Sequence, residues 1–148
     1  MSVLGELQPN KVFKYFEEIC SIPHGSRNLQ QISDYLVDFA KAHELKYRQD
    51  EDLNVIIWKD GSKGYEASEP VILQGHMDMV AVKEADCDKD MEKEGLDLEI
   101  NGDYISAKGT SLGGDDGIAV AYTLAVLDDE EMAHPPIEAI FTVNEEIG

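Results

Sequence analysis

Three short clusters in this chain of 148 residues set metal-binding and acid–base side chains beside one another: His76 with Asp78, Asp115 with Asp116, and Glu145 with Glu146. Residues two apart on a strand face the same way, so Asp78 can hold one imidazole nitrogen of His76 while the other binds a cation. Consecutive Glu145 and Glu146 point in different directions, which suits one metal ligand and one free base. Asp115 has two oxygens and can bridge two metal ions about 3.5–4 Å apart. Carboxylates with imidazole suit zinc, manganese or cobalt, and no paired-cysteine spacing offers a thiolate site. Each cluster also has a structural reading. Asp115 can cap a helix by accepting its free first-turn N–H groups, His76 can be a hydrogen-bonded strand-end residue, and the two glutamates can be solvated charge. Their shared placement, after a buried strand or at the start of a helix, favours convergence on one rim.

Hydrophobic spacing predicts the elements that carry them. Val12, Phe13, Phe16, Ile19 and Cys20 recur at helical spacing after Pro9 until Ile22-Pro23 ends the pattern. Leu29, Ile32, Leu36, Phe39 and Ala40 mark a second helix reaching about His43, with Ser26 or Asn28 as its cap. Strands are expected at Lys46–Gln49 and Leu53–Lys59, the latter closed by Asp60-Gly61. Lys63–Pro70 is a polar loop, and Val71-Ile72-Leu73 reads as a short buried strand delivering Gly75-His76-Met77-Asp78 at its carboxyl end, the end where α/β sheets keep their ligands. Ala85–Gly95 is charge-dense and aperiodic, a solvated loop. Alternating segments at Leu96–Ile100 and Asp103–Ser106 flank Asn101-Gly102, a hairpin signal for a type I′ turn. Gly113-Gly114-Asp115-Asp116-Gly117 opens a helix bearing Ile118, Val120, Ala121, Leu124 and Leu127, and Ile137–Val143 is a last buried strand leading to Asn144-Glu145-Glu146.

The chain holds 31 Asp and Glu against 12 Lys and Arg, a net charge of −19. That balance repels phosphate backbones and anionic surfaces, so neither nucleic acid nor membrane is an expected partner. Apolar runs such as Val55–Trp58 fall far short of the roughly 20 residues of a membrane span, and the first residues lack a signal pattern, so a cytoplasmic location is expected. Cys20 and Cys87 are too few for a disulfide framework and read as reduced. The length suits one domain or part of one. Asp86, Asp88, Asp90 and Asp97 fall at positions 1, 3, 5 and 12 of an EF-hand-like loop, a rival calcium-binding reading. Met91 at the glycine position, Asp at position 12 and the lack of flanking helices weigh against it.

Taken in order, QGHMDMV, INGDYISAKGTSLGGDDGIAVA and FTVNEEIG resemble the successive motifs of the dinuclear-zinc metallopeptidases that include the cytosolic aminoacyl-histidine (Xaa-His) dipeptidases. The resemblance covers nearly the whole chain from SIPHGSRNLQQISDYL onward. It implies an α/β fold, a mixed sheet flanked by helices in an incomplete zinc-exopeptidase-like (phosphorylase/hydrolase-like) catalytic domain. It implies hydrolysis of unblocked dipeptides of the Xaa-His kind, such as β-alanyl-histidine, by a water bridging two zinc ions, with cobalt or manganese as substitutes. His76 would bind one zinc, Glu146 the second and Asp115 both; Asp78 would orient His76, and Glu145 would be the general base. The Asp115–Asp116 peptide would be cis, and Asp116 stands where the family usually has Asn. His24, His43 and His134 are not expected ligands. Family members run on for several hundred residues, so 1–148 would be the amino-terminal part of the catalytic domain. A further carboxylate, a further His and a smaller domain for dimerisation and substrate capture would lie outside it. A dipeptide substrate and a homodimer are then the expected partners. The piece alone would be inactive, with an exposed apolar sheet edge and a tendency to self-associate. Alternatives are a related deacylase or tripeptidase, and a non-catalytic remnant that pairs with another chain.

Overall fold

The order of elements is α1 (Asn10–Cys20), α2 (Gln30–Ala42), β1 (Lys46–Gln49), β2 (Val55–Lys59), β3 (Val71–His76), β4 (Leu98–Asn101), β5 (Tyr104–Ala107), α3 (Gly114–Leu127) and β6 (Ile137–Thr142). A 3-10 turn at Glu145–Ile147 follows. This computed structural model describes all residues, 1–148. Four strands form a mixed sheet in the order β1-β2-β6-β3: β2 is antiparallel to both β1 and β6, and β3 runs parallel to β6. β6 lies inside the sheet and alternates as a half-buried strand should, with Ile137, Ala139 and Phe141 buried. α2 packs on β1 and β2, and α3 packs on both β3 and α1. One core cluster joins them, including Phe16, Ile19, Ile32, Leu36, Ile57, Leu124 and Phe141. Fully burying each such side chain contributes about 1.5–3 kcal/mol. Both cysteines are free, and burial pushes the Cys20 thiol up to about 12, with the Glu17 charge adding to it.

Four sequence expectations are corrected. β3 is longer than Val71–Leu73, and its start is not buried: Ile72 is 59% exposed and Val71 is exposed too. The reason is position, because β3 is an edge strand hydrogen-bonded only to β6. β2 begins at Val55, since Leu53 takes a left-handed φ of 75° in a turn held by Asp50, whose Oδ1 accepts the Asn54 N–H at 2.9 Å. Neither Ser26 nor Asn28 caps α2; Leu29 takes the cap position without a side-chain bond. The hairpin turn is shifted by one residue: Asn101 pairs with Tyr104, leaving Gly102-Asp103 as the central pair with positive φ at Gly102 alone. A type I′ turn would need positive φ at both. No helix is long and apolar enough to cross a membrane.

Candidate metal centre

Parallel pairing of β3 and β6 sets His76 opposite Thr142, so both strands open at the same end of the sheet, where parallel strands leave room for ligands. Past that point β3 continues into Met77-Asp78 and β6 into the Glu145–Ile147 turn, while the start of α3 closes the third side. The approach is close at Gly75, where a Cβ would stand 3.1 Å from Asp116 Oδ2. The first residues of α3 are not helical in backbone angle, the Asp115–Asp116 peptide is cis as the resemblance implies, and Gly113 takes the cap position. The N-cap reading of Asp115 therefore does not hold.

His76 is 6% exposed. Its Nδ1 lies 3.0 Å from the Asp78 main-chain oxygen and 3.2 Å from Asp78 Oδ1. Both are acceptors, so Nδ1 carries the proton and donates. Nε2 turns to the rim, 2.9 Å from Asp115 Oδ1 and 3.9 Å from Glu145 Oε2. One donor atom each from His76, Asp115 and Glu146 lie within 4.8 Å of one another. The donor chemistry, imidazole with carboxylates, fits a zinc, cobalt or manganese ion.

Asp78 is 1% exposed and fully engaged. Its Oδ1 accepts the Glu145 N–H at 3.0 Å, and its Oδ2 accepts the Ser26 hydroxyl at 2.7 Å and the Glu146 N–H at 3.2 Å. Burial alone would raise its pKa, but these donors and the His76 charge outweigh it and hold the carboxyl below its ordinary range. Burial likewise favours neutral His76, yet the bond to Asp115, the Asp78 carbonyl and the charges of Asp78 and Asp116 raise its pKa. Asp115 and Glu145 side chains are 83% and 62% exposed. The lysine ion pairs go to Asp128, Asp38, Asp97 and Asp90, none of them at this rim. The excess of negative charge around one imidazole is the electrostatic complement of a bound cation.

All five candidate residues thus meet at one place, His76, Asp78, Asp115, Glu145 and Glu146. The other three histidines do not join them. His24 Nδ1 donates to the Ile22 carbonyl at 2.6 Å, and burial holds its pKa down. His43 stacks on Phe39 with ring centroids 4.3 Å apart, and His134 bonds the Pro135 carbonyl at 2.8 Å. The EF-hand-like aspartates form no cluster, because Lys89 takes Asp97 at 3.0 Å and Lys93 takes Asp90 at 3.2 Å. Ser26 and Asn144 escape a reading of the sequence, because their partners Asp78 and Arg27 lie 52 and 117 positions away.

No family model matches the chain. It is 40% identical over 148 residues to the cytosol non-specific dipeptidase of Escherichia coli (strain K12), a match that covers the whole chain and 30% of that protein. The chain is homologous to peptidases. Among solved structures, the aminoacylhistidine dipeptidase of Vibrio alginolyticus superposes with a TM-score of 0.95 and 39% identity over 98% of this chain and 30% of that one. A tripeptidase of Staphylococcus aureus shares the fold, with a TM-score of 0.76 and 24% identity over 97% of this chain and 39% of its own. The mixed α/β sheet is thus the architecture of exopeptidases. The chain spans 30% of the length of both dipeptidases.

Proposed function

We propose that these residues form part of the catalytic domain of a metal-dependent dipeptidase that hydrolyses unblocked dipeptides, Xaa-His among them, in the cytoplasm and as a homodimer. The observation that carries this reading is the convergence of His76, Asp115 and Glu146 donors around an imidazole oriented by Asp78, in a chain 40% identical to a dipeptidase. Two zinc ions fit the reading, with His76 holding one, Glu146 the other and Asp115 both, and a further carboxylate and His supplied from outside 1–148. Metals held there would supply Lewis-acid chemistry, acidifying a water and polarising the scissile carbonyl. Asp78 keeps the proton on His76 Nδ1 and so keeps Nε2 free as a ligand. Glu145, exposed and paired with no lysine or arginine, takes the proton of the attacking water and returns it to the leaving amine. Its main chain is pinned to Asp78 through its N–H, so its side chain swings from a fixed base.

The test is hydrolysis of a dipeptide panel including β-alanyl-histidine by the complete protein, with Glu145→Gln beside it and metal content measured on both. Glu145→Gln should lower kcat by about 10²–10⁴-fold while keeping the metal. Full activity in Glu145→Gln, or in protein stripped of metal, would contradict the reading.

A further inference from the structure

Asp78 is gripped from two directions. On one side stand the Glu145 and Glu146 amides, and on the other the Ser26 hydroxyl at 2.7 Å, from a turn between α1 and α2 that supplies none of the candidate ligands. That turn is stitched to the strand extension carrying Asp78: Met79 N–H donates to the His24 carbonyl at 3.1 Å, and Ser26 N–H donates to the Met79 carbonyl at 3.2 Å. A Cβ on Gly25 would stand 2.8 Å from the Ala81 Cβ, so this approach leaves no slack. The same turn reaches the other half of the rim. Arg27, at a left-handed φ of 67°, donates its N–H to Asn144 Oδ1 at 2.8 Å, directly before the two glutamates.

We propose that Ser26 is a positioning residue of the metal centre, fixing the Asp78 carboxylate and through it the His76 ring and the Glu145-Glu146 turn. A carboxylate turns about its own bond unless its donors fix the plane. Without the hydroxyl, Oδ2 retains one partner, the Glu146 N–H at 3.2 Å, and the plane that aligns Oδ1 with His76 Nδ1 is no longer held from the α1–α2 side. Outer partners of metal-binding histidines contribute about 10–100-fold to metal affinity. The proposal rests on the reading of this rim as a metal centre.

The test is zinc titration by calorimetry, with thermal unfolding, on the complete protein and its Ser26→Ala, Ser26→Thr, Ser26→Val and His76→Ala variants. Thr and Val have the same shape and differ in the hydroxyl, so this pair decides even where Ser26→Ala folds poorly. Ser26→Ala and Ser26→Val should weaken zinc binding about tenfold or more with little change in melting temperature, and Ser26→Thr should restore it. In the metal-free chain the Glu145 and Glu146 amides should exchange hydrogen faster in Ser26→Val than in Ser26→Thr. Equal zinc affinity in Thr and Val variants would overturn the positioning role alone. Zinc binding by the parent no tighter than by His76→Ala would overturn the metal-centre reading, and this proposal with it.

Discussion

Residues 85–97 and the rim at the ends of β3 and β6 are both rich in carboxylates, and they use them in opposite ways. In the loop, Asp90 accepts the Glu92 N–H at 3.0 Å and pairs with Lys93 at 3.2 Å, while Lys89 pairs with Asp97 at 3.0 Å and donates to the Gly95 carbonyl at 2.7 Å. These carboxylate partners are all near in sequence, and lysines supply the compensating charge. At the rim the partners come from far apart, Asp115 lying 39 positions from His76 and Glu145 lying 67 from Asp78, and the one basic group is a buried imidazole. The difference teaches that carboxylate density does not make a cation site in a chain with a net charge of −19. The rim differs in that its carboxylates have no lysine partners and are brought by topology around one oriented imidazole, the arrangement on which the proposed cation site rests.

The largest expected effect on stability is Asp78→Ala, which leaves the Ser26 hydroxyl and two amides without their acceptor and the His76 ring with the residue 78 carbonyl alone. Leaving such groups unpaired should cost about 2–4 kcal/mol in urea unfolding. Asp90→Ala, the same change in the loop, should leave the unfolding midpoint where it was, and an equal loss in both would erase the contrast. Next comes pH. The Asp78 carboxyl titrates below its ordinary range when folded, whereas the unfolded chain takes up that proton near a pH of about 3.9. Its stabilisation is therefore complete above that value and lost as pH falls through the folded value. Acid unfolding followed by circular dichroism should show a shallower decline below about pH 4 for Asp78→Asn than for the parent. A parallel decline in both would mean that Asp78 carries no such linkage. The smallest effect is expected for Lys93→Ala, whose pair with Asp90 is exposed: such a pair contributes about 0.2–1 kcal/mol, and zinc affinity should not move.

Much of the fold is legible in the residues. The 3.6-residue spacing of Val12, Phe16 and Ile19 and of Ile32, Leu36 and Phe39 gives α1 and α2, because burial of those stripes is what stabilises them. The buried alternation of β6 is equally plain. The start of β3 misleads, because an apolar run does not say whether a strand has one neighbour or two. At the site, the residue types of His76, Asp78, Asp115, Glu145 and Glu146 and their element-end positions can be read directly, since ligand chemistry is a property of side chains. The support given by Ser26 and Asn144 cannot, because it depends on which loop a turn touches after folding.

Zinc titration of His76→Ala and Asp115→Ala against a triple loop variant, Asp86→Asn, Asp88→Asn and Asp90→Asn, tests most directly whether the rim is the cation site. Binding should be lost in both rim variants and keep its affinity in the loop variant. Binding that survives His76→Ala and Asp115→Ala but weakens when the loop aspartates are neutralised would contradict it and return the cation to the loop.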